Sequence, residues 1–120
     1  MTKILYIEDN EDNIFMLKSR LERKGFHVDV AKDGEEGIAL ARHSKPDLII
    51  MDISLPKKDG YAATQFLKQE RETKSIPIIV LTAHALPKDK ELALEAGADE
   101  YESKPVDFQR LLKKIAQFLS

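Results

Sequence analysis

The chain has no cysteine, which excludes a disulfide framework, a thiol nucleophile and any cysteine-ligated zinc or iron-sulfur centre. It has no surplus of positive charge either. Its 19 Lys and Arg and 21 Asp and Glu are spread along the sequence and give a formal net charge of -2, so no broad basic face is available for nucleic acid. No apolar run approaches the roughly 20 residues that a membrane span needs. The first run, Ile4-Leu5-Tyr6-Ile7, meets Glu8 and Asp9 before it is long enough for the core of a secretion signal. Low-complexity tracts, Gly/Ser linkers and internal repeats are lacking too. These absences predict one cytoplasmic domain over residues 1–120, with neither nucleic acid nor membrane as a partner. At 42% hydrophobic residues, the chain has enough apolar material for a single core.

What is present is an alternation of two apolar patterns. Short runs rich in Ile, Leu and Val at 3–7, 26–31, 47–51, 77–81 and, more weakly, 99–103 read as strands. Leu48-Ile49-Ile50-Met51 and Ile78-Ile79-Val80-Leu81 are apolar without alternation, as suits inner strands of a parallel sheet covered on both faces. Between the runs the spacing is helical, with Ile14, Leu17 and Leu21 in the first interval and Ala62, Ala63, Phe66 and Leu67 in the third. Phe108, Leu111, Leu112, Ile115, Ala116 and Leu119 form a last stripe, assigned to the core, with Asp107 as the predicted N-cap. Asp33 and Glu36 look like a capping box before the second helix, and Gly25 and Gly97 stand where helices should end. Five βα repeats with short connections predict a doubly wound α/β domain, a parallel sheet with helices on both faces.

In such a fold ligands bind beyond the carboxyl ends of the strands. The residues there are Glu8 and Asp9 after the first strand, Asp52 at the end of the third, Thr82 after the fourth, and Lys104 before Pro105 after the fifth. If the strand order is 2-1-3-4-5, the first and third strands are neighbours and three carboxylates share one rim. Two unit charges about 4 Å apart repel by about 4 kcal/mol at an effective dielectric of about 20, so the cluster needs a cation or raised pKa values. Mg²⁺ suits it, because that ion takes one or two carboxylates and leaves places for water and phosphate oxygens. Asp9 and Asp52 supply two ligands in this reading, and Glu8 acts on a metal-bound water. An Asp carboxylate can also be the nucleophile that forms an acyl phosphate. The Thr82 hydroxyl and Lys104 ammonium are then suited to pair with phosphoryl oxygens.

Glu8-Asp9, the segment Met51-Asp52-Ile53-Ser54-Leu55-Pro56-Lys57-Lys58-Asp59-Gly60, Thr82-Ala83 and Lys104-Pro105 together resemble the motif set of CheY-like response regulator receiver domains. The likeness covers essentially the whole chain, and within the family it is nearest to DivK-type single-domain regulators. It implies the flavodoxin-like (βα)₅ fold with strand order 2-1-3-4-5. It further implies Asp52 as phosphoacceptor, Mg²⁺ held by Asp9, Asp52 and the backbone carbonyl of Ser54, and Lys104 in contact with the phosphoryl group. Glu8 stands where many members carry Asp. Thr82 and Tyr101 match the family's two switch positions, although a strand tyrosine is as readily a packing residue. Ser54 and His84 fall at positions that flank the route of the hydrolytic water. The resemblance also implies a cis Lys104-Pro105 bond. The donor would be a sensor histidine kinase or a histidine phosphotransfer protein. Output would pass to a downstream protein through the face of the fourth helix, fifth strand and fifth helix, since no residues follow Ser120 to form a DNA-binding domain.

Three other readings compete. A phosphohydrolase of the haloacid-dehalogenase type also uses a strand-end Asp with Mg²⁺, but resembles an Asp-x-Asp pattern that Asp52-Ile53-Ser54 lacks. A flavodoxin-like cofactor site needs a hydroxyl- and glycine-rich phosphate loop, where this chain has Glu8-Asp9-Asn10-Glu11. A receiver-like module that no longer works by phosphorylation would keep the same residues, so only chemistry separates it.

Overall fold

A computed structural model describes residues 2–53, 60–82 and 87–119. Strands and helices alternate strictly: β1 (Lys3–Ile7), α1 (Glu11–Arg23), β2 (His27–Ala31), α2 (Gly34–Ser44), β3 (Leu48–Asp52), α3 (Gly60–Gln69), β4 (Ile78–Thr82), α4 (Pro87–Glu95), β5 (Glu100–Ser103) and α5 (Phe108–Leu119). The strands form one parallel sheet in the order β2-β1-β3-β4-β5. This is the expected flavodoxin-like topology, and every strand lies within a residue of its predicted limits.

Two apolar layers hold the helices to the sheet. Ile4, Tyr6, Ile50, Ile79 and Leu81 pack on one face against Leu17 and Leu21 of α1 and Leu111 and Ile115 of α5. On the other face Leu5, Ile7, Ile49, Met51, Ile78 and Val80 pack against α2, α3 and α4. All five residues of β3 and of β4 are buried, which is why their sequences lack the alternation of a half-exposed strand.

Helix ends follow local chemistry. Asp33 caps α2 by accepting from the Glu36 amide, and Asp107 accepts from the Arg110 amide at the start of α5. After α1 the amides of Gly25 and Phe26 return to the carbonyls of Glu22 and Leu21, and after α4 those of Gly97 and Ala98 return to Leu94 and Ala93. Both are Schellman closures, and both place glycine at positive φ, 95° and 101°.

Two side chains of the helically spaced stripes, one of them in the stripe assigned to the core, lie outside. Ala116 is exposed because it sits about 100° around the helix from Ile115, beyond the face that meets the sheet. Phe66, at the margin of α3, is 36% exposed, with the Arg42 guanidinium 5.2 Å from its ring centre.

Candidate functional site

The strand ends of β1, β3, β4 and β5 bring the acidic and basic residues to one rim. The Glu8 amide bonds to the Ala31 carbonyl of the neighbouring β2 at 2.9 Å, so the chain stays extended for one residue past β1. Asn10 then turns it into α1 by capping the amide of Asn13. Asp52 is the last residue of β3 and Thr82 the last of β4. At this end of the sheet the Ile53 amide reaches the Leu81 carbonyl and the Lys104 amide reaches the Thr82 carbonyl. The Lys104-Pro105 bond is cis.

Glu8, Asp9 and Asp52 each offer a carboxylate oxygen within 4.8 Å of the others. Glu8 and Asp52 are buried, at 1% and 2% exposure, while Asp9 faces solvent. The Lys104 ammonium lies between the buried pair, 3.3 Å from Asp52 Oδ2 and 3.4 Å from Glu8 Oε1. Glu8 Oε1 also accepts from the Tyr6 hydroxyl at 3.3 Å and from Asn13 Nδ2 at 3.4 Å; Oε2 accepts from the Asn10 amide.

The electrostatics follow from this packing. Burial, a hydrogen bond shared with Asp52 and the Asp52 charge push the Glu8 carboxyl up to about 7, against the opposing pull of Lys104 and the Asn10 amide. Burial and the same carboxylates raise the Tyr6 phenol, so it remains a donor. Among the described residues, the Lys104 ammonium meets the two buried members of a cluster of three carboxyl groups. An all-oxygen, anionic donor set around one point, with one exposed member through which an ion can enter, fits a hard divalent cation such as Mg²⁺.

Thr82 is fully buried. In the sheet register Val80 pairs with Tyr101 and Thr82 with Ser103. Strand alternation therefore puts Thr82 and Tyr101 on the same face of the sheet, the one covered by α4. Tyr101 is partly buried against that layer. On the other side of β5 the Lys114 ammonium bonds to the Tyr101 carbonyl and lies near Glu100 and Glu102. Glu102 is buried, and both its oxygens accept from Arg110 Nε. Burial would raise its carboxyl, but Arg110 and Lys114 outweigh that and hold it below the usual range.

The structure thus brings together Glu8, Asp9, Asp52 and Lys104, with Thr82 on the adjacent strand end. Ser54 and His84 lie outside the described residues. Three partners of Glu8 escaped the sequence reading. Tyr6 is signalled only by its place two residues before Glu8 on the same strand face, and Asn10 and Asn13 only by their helix-cap spacing. Beside them, Tyr6, Asn13, Met16, Leu17, Arg20, Leu81, Lys104, Pro105 and Val106 line a cavity of about 200 Å³. Phe15 and Met16 of α1 are 73% and 61% exposed.

Comparison with known proteins agrees with this geometry. The chain is 39% identical over 120 residues to the protein PilH of Pseudomonas aeruginosa, covering 100% of this chain and 99% of that one. It is 38% identical to the polar-differentiation response regulator DivK of Brucella ovis, over 99% of this chain and 98% of the relative. Among solved structures, the receiver domain of a Pseudomonas aeruginosa sensor histidine kinase, with magnesium coordinated in its active-site cleft, superposes with a TM-score of 0.91. Its identity is 34%, over 98% of this chain and 97% of that one. Residues 4–116 match the response regulator receiver domain family. A doubly wound sheet, an acidic rim with its lysine and a match over nearly the whole length lead to one conclusion: the chain belongs to the response regulator receiver domain family.

Proposed function

We propose that this receiver domain accepts a phosphoryl group on Asp52 from a phosphohistidine and changes its affinity for a protein partner as a result. The observation that carries the reading is the placement of Asp52 at the rim, within 4.8 Å of Glu8 and Asp9 and 3.3 Å from Lys104. Asp9, Asp52 and the Ser54 carbonyl would hold Mg²⁺, with Glu8 acting through water. When bound, the ion neutralises charge on the carboxylates and on the phosphoryl oxygens.

The residues of the chain do the rest. An Asp52 oxygen attacks phosphorus, forming the P–O bond as the P–N bond to the donor imidazole breaks, and the imidazole nitrogen keeps the electron pair. Lys104 is already beside Asp52 Oδ2 and pairs with a phosphoryl oxygen through a small shift of its head group. Thr82 ends the neighbouring strand and donates its hydroxyl to another oxygen. The donor, a sensor histidine kinase or a histidine phosphotransfer protein, has to approach the rim closely. The exposed Phe15 and Met16 on α1 give it an apolar surface on which to rest. Thr82 and Tyr101 share the sheet face that leads to α4, so output through α4, β5 and α5 begins with their movement.

Incubation with acetyl phosphate and Mg²⁺, followed by intact mass measurement, tests this reading. One phosphoryl group should be added, and none in Asp52→Asn or in the presence of a chelator. Stable labelling of the Asp52→Asn protein would refute it.

A further inference from the structure

We propose that Tyr6 is a positioning residue for Glu8, whose hydroxyl holds the carboxylate where it can serve a cation bound by Asp9 and Asp52. The inference rests on the reading of this rim as a cation site. Residues 6 and 8 point to the same side of the extended chain, and the Tyr6 hydroxyl lies 3.3 Å from Glu8 Oε1. Tyr6 is 2% exposed, and its ring is packed in the layer under α1 and α5. A buried hydroxyl requires a partner, and Glu8 provides it.

Glutamate has one more methylene and one more rotatable bond than aspartate, so its carboxylate needs an anchor to occupy one place. Oε1 receives three donors. Lys104 is shared with Asp52, and Asn13 is a partly exposed residue of α1. Tyr6 is the one of the three fixed by the core. An aspartate at position 8 would be one C–C bond short of the hydroxyl and could not use it.

A double-mutant cycle on Mg²⁺ affinity, measured by isothermal titration calorimetry on the full chain, tests the pairing. Tyr6→Phe should weaken binding roughly 3- to 10-fold, the effect of losing one hydrogen bond of ordinary net strength. In the Glu8→Asp background the same substitution should change it by less than about 1.5-fold. Equal losses in both backgrounds, or none in either, would overturn the role given to Tyr6. Asp9→Ala separates this from the reading beneath it. Affinity retained in Asp9→Ala overturns the cation site itself, whereas affinity lost there but untouched in Tyr6→Phe overturns only the pairing. In the unaltered protein, Mg²⁺ should shift the ring NMR resonances of Tyr6 along the same binding curve while those of Tyr61 stay in place. A Tyr6 ring insensitive to Mg²⁺ would also overturn the proposal.

Discussion

In the folded chain the Glu8 carboxyl keeps its proton up to about pH 7, whereas an exposed glutamate loses it near 4.5. Between these values the native state binds more protons than the unfolded state, so stability contributed by Glu8 is full below about pH 4.5 and lost as pH rises to 7. Metal-free protein should therefore become less stable over that window, and Glu8→Gln should remove this part of the slope. Urea unfolding at several pH values measures it; identical slopes in both proteins would contradict the burial argument. Saturating Mg²⁺ should flatten the slope, since the cation favours the ionised form. Asp9 differs because it is exposed. Asp9→Ala should change stability by less than about 0.5 kcal/mol yet abolish both Mg²⁺ binding and labelling with acetyl phosphate. Calorimetry and intact mass on the same sample check this.

At the scale of elements, α3 sets how the chain leaves Asp52. A Cβ built on Gly60 would lie 2.2 Å from Ile53 Cα and 2.6 Å from the Asp52 carbonyl oxygen, both backbone atoms that cannot turn aside. The Gly60 amide also donates to the Ile53 carbonyl. Gly60→Ala should therefore cost about 1–3 kcal/mol, as overpacking does, and should slow labelling of Asp52 by displacing it. Urea denaturation with a labelling time course distinguishes this from a neutral change. The elements were the most legible part of the sequence. β3 and β4 announced burial by unbroken apolar runs, and Gly25, Gly97, Asp33 and Asp107 marked helix ends through chemistry that is local. Helix faces were less legible, because spacing gives a stripe but not its width, and Ala116 fell outside it. Glu102 could not be read at all. A glutamate in a short edge strand predicts a solvated side chain, and only the tertiary approach of Arg110 and Lys114 from α5 makes its burial tolerable.

Over the whole molecule, the proposed output through α4, β5 and α5 would be coupled to the site by the sheet rather than by charge, which salt screens within about 10 Å. Glu8, Asp9, Asp52, Thr82 and Lys104 were legible because each sits at a strand end, where a doubly wound fold gathers its ligands. The side chains that hydrogen-bond to Glu8, Tyr6 and Asn13, were not, since they belong to a strand interior and a helix. Thr82 links the rim to the layer that holds Tyr101. Moving a two-state equilibrium from 1:99 to 99:1 requires about 5.5 kcal/mol, and one hydrogen bond to a charged group gives about 1.5–3 kcal/mol. Thr82→Ala should thus still be phosphorylated but lose most of the phosphorylation-dependent gain in partner affinity. Titrating the partner with phosphorylated and unphosphorylated forms of both proteins measures this, and a full gain in Thr82→Ala would place the signal elsewhere. All of this presupposes that the phosphoryl group resides on Asp52, and borohydride trapping examines that directly. Reduction of an acyl phosphate on aspartate gives homoserine, which peptide mass spectrometry locates. After treatment with acetyl phosphate and Mg²⁺, homoserine should appear at position 52 and nowhere else; its absence there, or a reduced side chain at position 8 or 9, would contradict the account.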